Sequence, residues 1–185
     1  MTNLTDLPNN LPLPQDDGAC HHLVGLALPN ISLPSTNSTV INVSKLIGWL
    51  VIYCYPMTGK PNVPLPDGWD AIPGARGCTP QSCTFRDRFE ELTQLKTQVF
   101  GLSTQNSEYQ LEAATRLHLP YALLSDEKLA LTRTLKLPTF KIGHMHLNKR
   151  ATLIAHNGVI RHVFYPVFPP DKNANDVIDW LKQHA

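Results

Sequence analysis

Two cysteines, Cys78 and Cys83, stand close together where the sequence predicts the start of a helix. Thr79 is a candidate N-cap, and Pro80 suits the first helical turn. The unpaired backbone N–H groups and the dipole at a helix N-terminus favour an anion, and for a cysteine that anion is the reactive thiolate. The sequence therefore predicts an activated thiol at Cys78, with a second thiol further along the same helix.

The spacing of the two cysteines limits how they can react with each other. Five helical residues give a rise of about 7.5 Å and a rotation of about 140°, so the two Cα atoms would lie roughly 8–9 Å apart. A disulfide needs its Cα atoms within about 7 Å, so Cys78 and Cys83 cannot be bridged while the helix is intact. We therefore expect a reversible redox pair whose oxidation requires the first one or two turns to unwind.

The composition is that of a globular protein and argues against several functions. The chain has 185 residues, of which 42% are hydrophobic and 17% charged, and its formal net charge is +1. This balance does not indicate binding to nucleic acid, and no apolar run reaches the length of a membrane span. We find no signal-peptide pattern and expect a cytoplasmic protein, in which a close cysteine pair is more often catalytic or metal-binding than structural. Metal is the weaker alternative, because no second Cys or His pair has zinc-finger spacing.

The elements that must position the cysteines follow an α/β order. Residues 48–55 form a continuous apolar run, typical of a strand buried on both faces, and we interpret Cys54 within it as a core thiol. After the cysteine helix we predict strand, helix, strand, helix, a hairpin turning at Asn157-Gly158, and a last helix over residues 173–184. Residues 138–147 fit neither helix nor strand clearly. This order predicts a central mixed sheet flanked by helices.

A long irregular loop leads directly to the first cysteine. It begins at Pro56, where the buried strand stops, and is rich in proline and glycine as far as Gly77. A loop of this length in a compact domain is usually functional or disordered. Because it ends at Cys78, we interpret it as functional, with Trp69 and Ile72 as candidate walls of the site.

The N-terminal residues 1–24 are predicted to form an extended or poorly ordered arm, and residues 25–185 the single domain. The arm is rich in proline and has little periodicity. It contains Cys20, His21 and His22, which we expect to lie at the surface without a role.

Several segments around the cysteines together resemble one protein family. They are Tyr55-Pro56, Gly77-Cys78-Thr79 with Cys83, Arg86-Asp87, Phe100-Gly-Leu-Ser-Thr, Leu123-Leu-Ser-Asp and Arg150-Ala-Thr-Leu-Ile. In this order they resemble a peroxiredoxin of the bacterioferritin-comigratory or Q type, and the similarity covers about residues 24–183. The resemblance implies a thioredoxin-like fold and a thiol-dependent peroxidase that reduces hydrogen peroxide and organic hydroperoxides.

The resemblance also implies roles for individual residues. Cys78 would be the peroxidatic cysteine, which becomes a sulfenic acid, and Cys83 the resolving cysteine, which condenses with it to a disulfide. Arg150 matches the active-site arginine, whose positive charge favours the thiolate. Pro56 is expected to shield the thiolate from water. The implied reductant is thioredoxin or a similar dithiol, no metal, haem or flavin is expected, and the protein would be a monomer or a homodimer.

The chain departs from the family pattern in the loop. The family has a threonine three residues before the cysteine, where this chain has Ala75, and an insertion of about fifteen residues separates Pro56 from Cys78. Thr58 is the candidate to fold back into the threonine's place, and Thr79 is a lesser one.

Two other functions compete with the peroxidase. A thiol–disulfide oxidoreductase acting on proteins usually carries Cys-x-x-Cys after a strand, whereas this chain has Cys-x-x-x-x-Cys. A redox-sensing, thioredoxin-like binding module would use oxidation of the pair to change the shape of the loop. Comparing the rates of peroxide loss and insulin reduction separates the peroxidase from the oxidoreductase. A slow reaction with peroxide that does not turn over would favour the redox-sensing module.

Overall fold

The computed structural model describes residues 4, 7–8 and 10–184. Its strands are β1 (Ser32–Pro34), β2 (Val40–Asn42), β3 (Trp49–Cys54), β4 (Thr97–Ser103), β5 (Leu123–Ser125), β6 (Thr139–Ile142), β7 (Met145–Asn148), β8 (Ala151–His156) and β9 (Val159–Phe164). Its α-helices are α1 (Cys78–Asp87), α2 (Phe89–Gln94), α3 (Ser107–Arg116), α4 (Ala130–Leu135) and α5 (Asn173–His184). Short 3-10 helices cover Val43–Lys45, Trp69–Ala71 and Pro170–Lys172.

The centre of the molecule is a five-stranded mixed sheet in the order β5-β4-β3-β8-β9. Strand β3 pairs in parallel with β4 and antiparallel with β8, and β4 pairs in parallel with β5. The predicted α/β fold with a mixed sheet is confirmed. Cys54, at the end of β3, is fully buried as predicted, and burial raises the pKa of its thiol.

Side chains on successive residues of β3 point into two different cores, as the pleat of a strand requires. Val51 and Tyr53 pack in the core that contains residues of α1, α2 and α5, whereas Leu50 and Ile52 pack in the core on the other face. Helix α1 therefore lies against the face of the sheet from which Tyr53 projects, and its first residue, Cys78, belongs to the same core.

Helix α1 begins earlier than predicted. Its N-cap is Gly77 and its first residue is Cys78, so the prediction of Thr79 as N-cap is wrong. Gly77 has a φ of 103°, which residues with a side chain rarely adopt, and a Cβ there would collide with the ring of Pro170. The chain can therefore turn into the helix directly at the glycine. Helix α1 ends at its C-cap Arg88, which is also the N-cap of α2.

Residues 138–147, which the sequence pattern left unassigned, form most of the hairpin of β6 and β7, which ends at Asn148. Phe140 and Leu147 of this hairpin belong to a small core cluster with Met57 and Trp69 of the long loop. The hairpin therefore gives the loop an apolar surface to pack on.

The prediction that Cys20 lies at the surface is wrong. Its side chain is 4% exposed, in the same core as Leu23. Asp17 pairs with Lys149 at 2.8 Å and accepts a hydrogen bond from the Tyr165 hydroxyl at 2.9 Å, which fixes this segment against the body. Burial and the nearby aspartates raise the pKa of Cys20 to about 12.

The predicted arm of residues 1–24 is described only in part, since residues 1–3, 5–6 and 9 lie outside the described residues. His21 and His22 are exposed, as expected. The boundary between an arm and a domain at residue 24 stays a prediction. Within the described residues, no helix has the length and apolar character needed to cross a membrane.

Candidate active site

The first residue of α1, Cys78, lies beside a buried cation. One guanidinium nitrogen of Arg150, Nη2, donates to Cys78 Sγ at 3.1 Å, and both side chains are 3% exposed. The Cys78 thiol also points at the Ala75 carbonyl at 3.6 Å. A charged donor at this distance stabilises a thiolate more than a thiol, because the interaction is partly electrostatic. The structure thus brings together two predicted site residues that are far apart in the sequence.

Arg150 also connects the long loop to the helix. It immediately precedes β8, and its Nη2 reaches the carbonyl oxygens of Gly74 and Ala75 at 3.3 Å and of Arg76 at 3.2 Å. Its Nη1 donates to the side-chain oxygen of Gln81 in the first turn of α1. The guanidinium therefore fixes the end of the loop and the start of the helix around the same sulfur.

A polar chain behind Arg150 includes residues that the sequence analysis missed. Gln81 Nε2 donates to Asn173 Oδ1 at 2.9 Å, and Thr152 Oγ1 donates to the same oxygen at 2.6 Å. Gln81 stands three residues after Cys78, which is helical spacing and would have been a usable signal. Nothing in the sequence pattern marks Asn173, because α5 reaches the site only through the tertiary fold.

A small cavity of about 20 Å³ lies against Cys78. Residues of the long loop line it, and Trp69 is among them, as predicted. The other predicted wall residue, Ile72, instead lines a separate cavity of about 310 Å³ that also borders Arg150. The loop therefore covers the sulfur, and its residues 72–74 face a separate space.

Thr58 is placed beside this cavity with a free hydroxyl. Met57 and Gly59 on either side of it line the cavity, and Thr58 is itself fully buried. Among the described residues, its Oγ1 has no hydrogen-bond partner. The Thr58 backbone is fixed, because its carbonyl accepts a hydrogen bond from the Tyr109 hydroxyl at 2.8 Å. The Thr58 hydroxyl is therefore available as a hydrogen-bonding group.

The other residues expected around the sulfur have different placements. Ala75 is fully buried and lines the cavity, and Thr79 lines it too. Pro56 is buried and its carbonyl accepts a hydrogen bond from Ser103 Oγ at 2.9 Å, but it is not among the described residues that line the cavity. The shielding role of Pro56 stays a prediction.

The second cysteine, Cys83, occupies a different environment. It is only half-buried, no disulfide joins it to Cys78, and burial raises the pKa of its thiol although the Arg86 guanidinium opposes this shift.

Two buried tyrosines hold the residue just before Cys83. The Tyr121 hydroxyl donates to the Ser82 carbonyl at 2.9 Å, and the Tyr53 hydroxyl donates to Ser82 Oγ at 3.1 Å. The ring of Tyr53 stacks on that of Phe85 with centroids 4.5 Å apart. These contacts hold the middle of α1 against the sheet.

A profile of the redoxin family matches residues 23–178. The chain belongs to the redoxin family. Among related sequences, this redoxin is 26% identical over 159 residues to a chloroplastic peroxiredoxin Q of Oryza sativa subsp. japonica and 28% identical over 159 residues to one of Arabidopsis thaliana. Each alignment covers 85% of this chain and 66% of the relative, so the chain spans just under two thirds of these proteins.

Solved structures show the same fold. Peroxidoxin BcpB from Mycobacterium tuberculosis superposes with a TM-score of 0.72 at 22% identity, covering 88% of this redoxin and 97% of that chain. A cysteine-to-serine mutant of PrxQ from Xylella fastidiosa gives 0.71 at 20% identity, covering 87% and 96%. The predicted resemblance to Q-type peroxiredoxins is confirmed as a similarity, and the predicted thioredoxin-like fold is confirmed.

Proposed function

We propose that this protein is a thiol-dependent peroxidase that reduces hydroperoxides at Cys78. The observation that carries the proposal is the 3.1 Å contact between Cys78 Sγ and the buried guanidinium of Arg150 at the start of α1. Membership of the redoxin family supports it. So does the similar structure of the Xanthomonas campestris bacterioferritin comigratory protein, which has alkyl peroxide reduction activity.

The first step forms a sulfenic acid. The Cys78 thiolate attacks one oxygen of the hydroperoxide, the O–O bond breaks, and the other oxygen takes up a proton and leaves as water or alcohol. Negative charge spreads over both oxygens in the transition state. Arg150 and the backbone N–H groups at the start of α1 stabilise this charge, and the Thr58 hydroxyl is the further hydrogen-bonding group at the cavity.

The second step joins the two cysteines. The first turns of α1 unwind, the Cys83 sulfur attacks the sulfenic sulfur, and water leaves as the disulfide forms. Burial raises the pKa of the Cys83 thiol while the helix is folded, so unwinding removes this effect and increases the thiolate fraction. An external dithiol of the thioredoxin type then reduces the disulfide by exchange.

The cellular context is also a proposal. We propose a cytoplasmic protein, as a monomer or homodimer, with thioredoxin or a similar dithiol as its reductant. The relatives compared above are described as chloroplastic. A close thiol pair suits either compartment if a thioredoxin-type reductant keeps it reduced.

Peroxide consumption by cysteine variants tests the proposal. We expect the wild type to consume hydrogen peroxide repeatedly with thioredoxin, Cys78→Ser to consume none, and Cys54→Ala to remain active because its thiol lies in the core. Cys83→Ser should consume one equivalent and stop as a sulfenic acid that dimedone traps. Undiminished turnover by Cys78→Ser would refute the proposal.

The same preparation separates the competing functions. A thiol–disulfide oxidoreductase would reduce insulin faster than peroxide, and a redox sensor would react once with peroxide and not turn over. We expect peroxide turnover to exceed insulin reduction, because the Cys78–Cys83 spacing prevents the pair from bridging until α1 unwinds.

A further inference from the structure

We propose that Asn173, the first residue of α5, is a positioning residue for the reaction at Cys78. It acts through Gln81, which it holds in the orientation that Arg150 requires. The inference rests on the proposed function and adds to it a residue whose hydrogen bonds reach the sulfur only through two other side chains.

The hydrogen-bond partners of Arg150 other than the sulfur are neutral. They are the side-chain oxygen of Gln81 and the carbonyl oxygens of residues 74–76. In the part of the chain that the structure describes, no Asp or Glu forms an ion pair with Arg150. No such acid neutralises the guanidinium charge beside Cys78, and the neutral partners determine where the guanidinium lies.

The Gln81 amide can bind Arg150 in only one of its two orientations. Its oxygen accepts a hydrogen bond from Arg150 Nη1. If the amide rotated by 180°, its NH2 group would face a guanidinium that has donors only, and the bond would be lost. Asn173 selects the productive orientation, because its Oδ1 accepts a hydrogen bond from Gln81 Nε2 at 2.9 Å and therefore requires the donor end on its own side.

The oxygen of Asn173 is itself held by Thr152 in β8. Thr152 Oγ1 donates to the same Oδ1 at 2.6 Å. Both side chains and that of Gln81 are at most 1% exposed, so bulk water cannot replace these hydrogen bonds. Asn173 Nδ2 has no hydrogen-bond partner among the described residues, so the side chain acts through its oxygen.

Packing fixes the start of α5 against the start of α1. Pro170 of the preceding 3-10 helix lies against Gly77, the N-cap of α1. Ala174 and Val177 of α5 are fully buried in the same core as Cys78. Asn173 therefore has a defined position beside the first turn of α1, from which it can support Gln81.

The test measures the second-order rate of sulfenic acid formation when the full chain is mixed with hydrogen peroxide in a stopped-flow instrument. Asn173→Ala leaves Gln81 free to rotate, so Arg150 loses a fixed partner. The rate should fall about tenfold, because a small displacement of a catalytic group has a large effect on rate.

Asn148→Ala is the matched control for this variant. Asn148 is also fully buried, its Oδ1 accepts a hydrogen bond from Thr132 Oγ1 at 3.0 Å, and its Nδ2 has no partner among the described residues. It precedes Arg150 by two residues, so it also controls for disturbance of that segment. Asn148→Ala should keep the wild-type rate.

Two further readouts distinguish positioning from a general loss of stability. Adding Asn173→Ala to Arg150→Gln should cause no further loss of rate, since residues that act through one another are not additive. The pH at which the rate is half-maximal should rise in Asn173→Ala, because the thiolate is stabilised less. A partly unfolded variant would instead lose the same factor in both backgrounds and at every pH.

The pH readout reports on Cys78, because the other titratable groups around it keep one charge state over the neutral range. Arg76 and Asp70 form an ion pair at 3.1 Å and both stay charged. Burial raises the pKa of the three tyrosines near the sulfur, which therefore stay neutral: Tyr53, Tyr55 and Tyr109.

The outcomes separate the two proposals. The inference is overturned, and the peroxidase left standing, if Asn173→Ala loses no more rate than Asn148→Ala, loses the same factor with and without the Arg150 guanidinium, or keeps the wild-type pH midpoint. A wild type that does not react with hydrogen peroxide overturns the proposed function and this inference with it.

Circular dichroism identifies the variants that fold. If Asn173→Ala does not fold, Thr152→Val decides the question, because it removes only the hydroxyl that holds the Asn173 oxygen. Thr152→Val should slow sulfenic acid formation and Thr132→Val should not. Equal rates in these two variants would overturn the inference.

Discussion

Helix α1 carries the same residue type at its first residue and in its middle, in opposite environments. At the first residue, Cys78 is buried and in contact with the Arg150 guanidinium at 3.1 Å. Five residues on, Cys83 is half-buried, and burial raises the pKa of its thiol despite the nearby Arg86. The helix itself does not account for this difference. The difference depends on Arg150, which immediately precedes β8 and whose guanidinium contacts Cys78.

The helix is also held differently at the two cysteines. Loop carbonyls and Arg150 surround Cys78, whereas two tyrosine hydroxyls hold Ser82 beside Cys83. The carbonyl of Ser82 and the Cα of Cys83 share one peptide plane, so the hydrogen bond from Tyr121 also restrains Cys83. We infer that the contacts at Cys78 govern reaction with peroxide and those at Cys83 govern disulfide formation. Each variant below should affect one of these reactions and spare the other.

The largest effect on sulfenic acid formation is expected from removing the Arg150 guanidinium beside Cys78. Arg150→Gln should lower the second-order rate of sulfenic acid formation by about 100-fold, because charge stabilisation in a buried site is lost. Arg150→Lys keeps the positive charge but not the forked arrangement of donors. Its rate of sulfenic acid formation should therefore fall by less than that of Arg150→Gln. Stopped-flow mixing with peroxide, well below each variant's unfolding temperature, measures both. A rate for Arg150→Gln within threefold of the wild type would contradict the assignment.

A smaller effect on sulfenic acid formation is expected from removing the Thr58 hydroxyl. Thr58→Val should slow sulfenic acid formation about tenfold, since one hydrogen bond to the peroxide is lost. It should not lower the free energy of unfolding, because Thr58 Oγ1 has no partner among the described residues.

Thr132→Val provides the matched control for this experiment. Thr132 is also buried, but its hydroxyl donates to Asp126 at 2.7 Å. This variant should lower the free energy of unfolding in urea and leave the peroxide rate unchanged. The opposite pattern in the two valine variants would show that Thr58 has no part in the reaction.

Near Cys83, we expect Tyr121→Phe to speed disulfide formation about fivefold, which corresponds to one hydrogen bond of about 1 kcal/mol. The rate of sulfenic acid formation should stay the same. Tyr55→Phe is the control, because the equally buried Tyr55 hydroxyl donates to Gln110 at 2.8 Å and not to α1. Quenching the reaction at intervals and measuring the disulfide by mass spectrometry gives the rate. Equal rates in the two variants would refute the role of Tyr121.

The smallest expected effect concerns the pH dependence of Cys83. Its raised pKa means that the folded protein holds the thiol proton more tightly than the unfolded chain does. In Cys78→Ser, iodoacetamide should therefore modify Cys83 more slowly than in the same protein unfolded in urea. The ratio of the unfolded to the folded modification rate should be largest at pH values below the ordinary thiol pKa. It should fall towards one as the pH rises through the raised pKa of Cys83 in the folded protein. Faster modification in the folded state would contradict the burial effect.

The sequence predicted the elements whose signals are local. The apolar run of residues 48–55 identified β3, and the predicted last helix has the observed bounds, Asn173–His184. The N-cap was predicted wrongly because the preference of threonine was outweighed by Gly77, whose left-handed φ and contact with Pro170 depend on the tertiary fold.

The candidate site was predictable only in part, for the same reason. Cys78 carries a local signal, but Arg150 stands out only through the family pattern, since nothing near it in the sequence indicates that it faces a sulfur. The burial of Cys20 depends on the pairing of Asp17 with Lys149, and no local pattern could reveal this pairing. Long-range ion pairs and packing determine where these side chains lie.

The central claim is that Cys78 reacts and that Cys83 reaches it only when α1 unwinds. Trypsin cleaves after Arg76 and Arg86, so residues 77–86 form one peptide that contains both cysteines. Mass spectrometry after one equivalent of hydrogen peroxide should show this peptide lighter by two hydrogen atoms, while Cys20 and Cys54 stay reduced. A bridge to Cys20 or Cys54, or a peptide of unchanged mass after the peroxide has gone, would contradict the account.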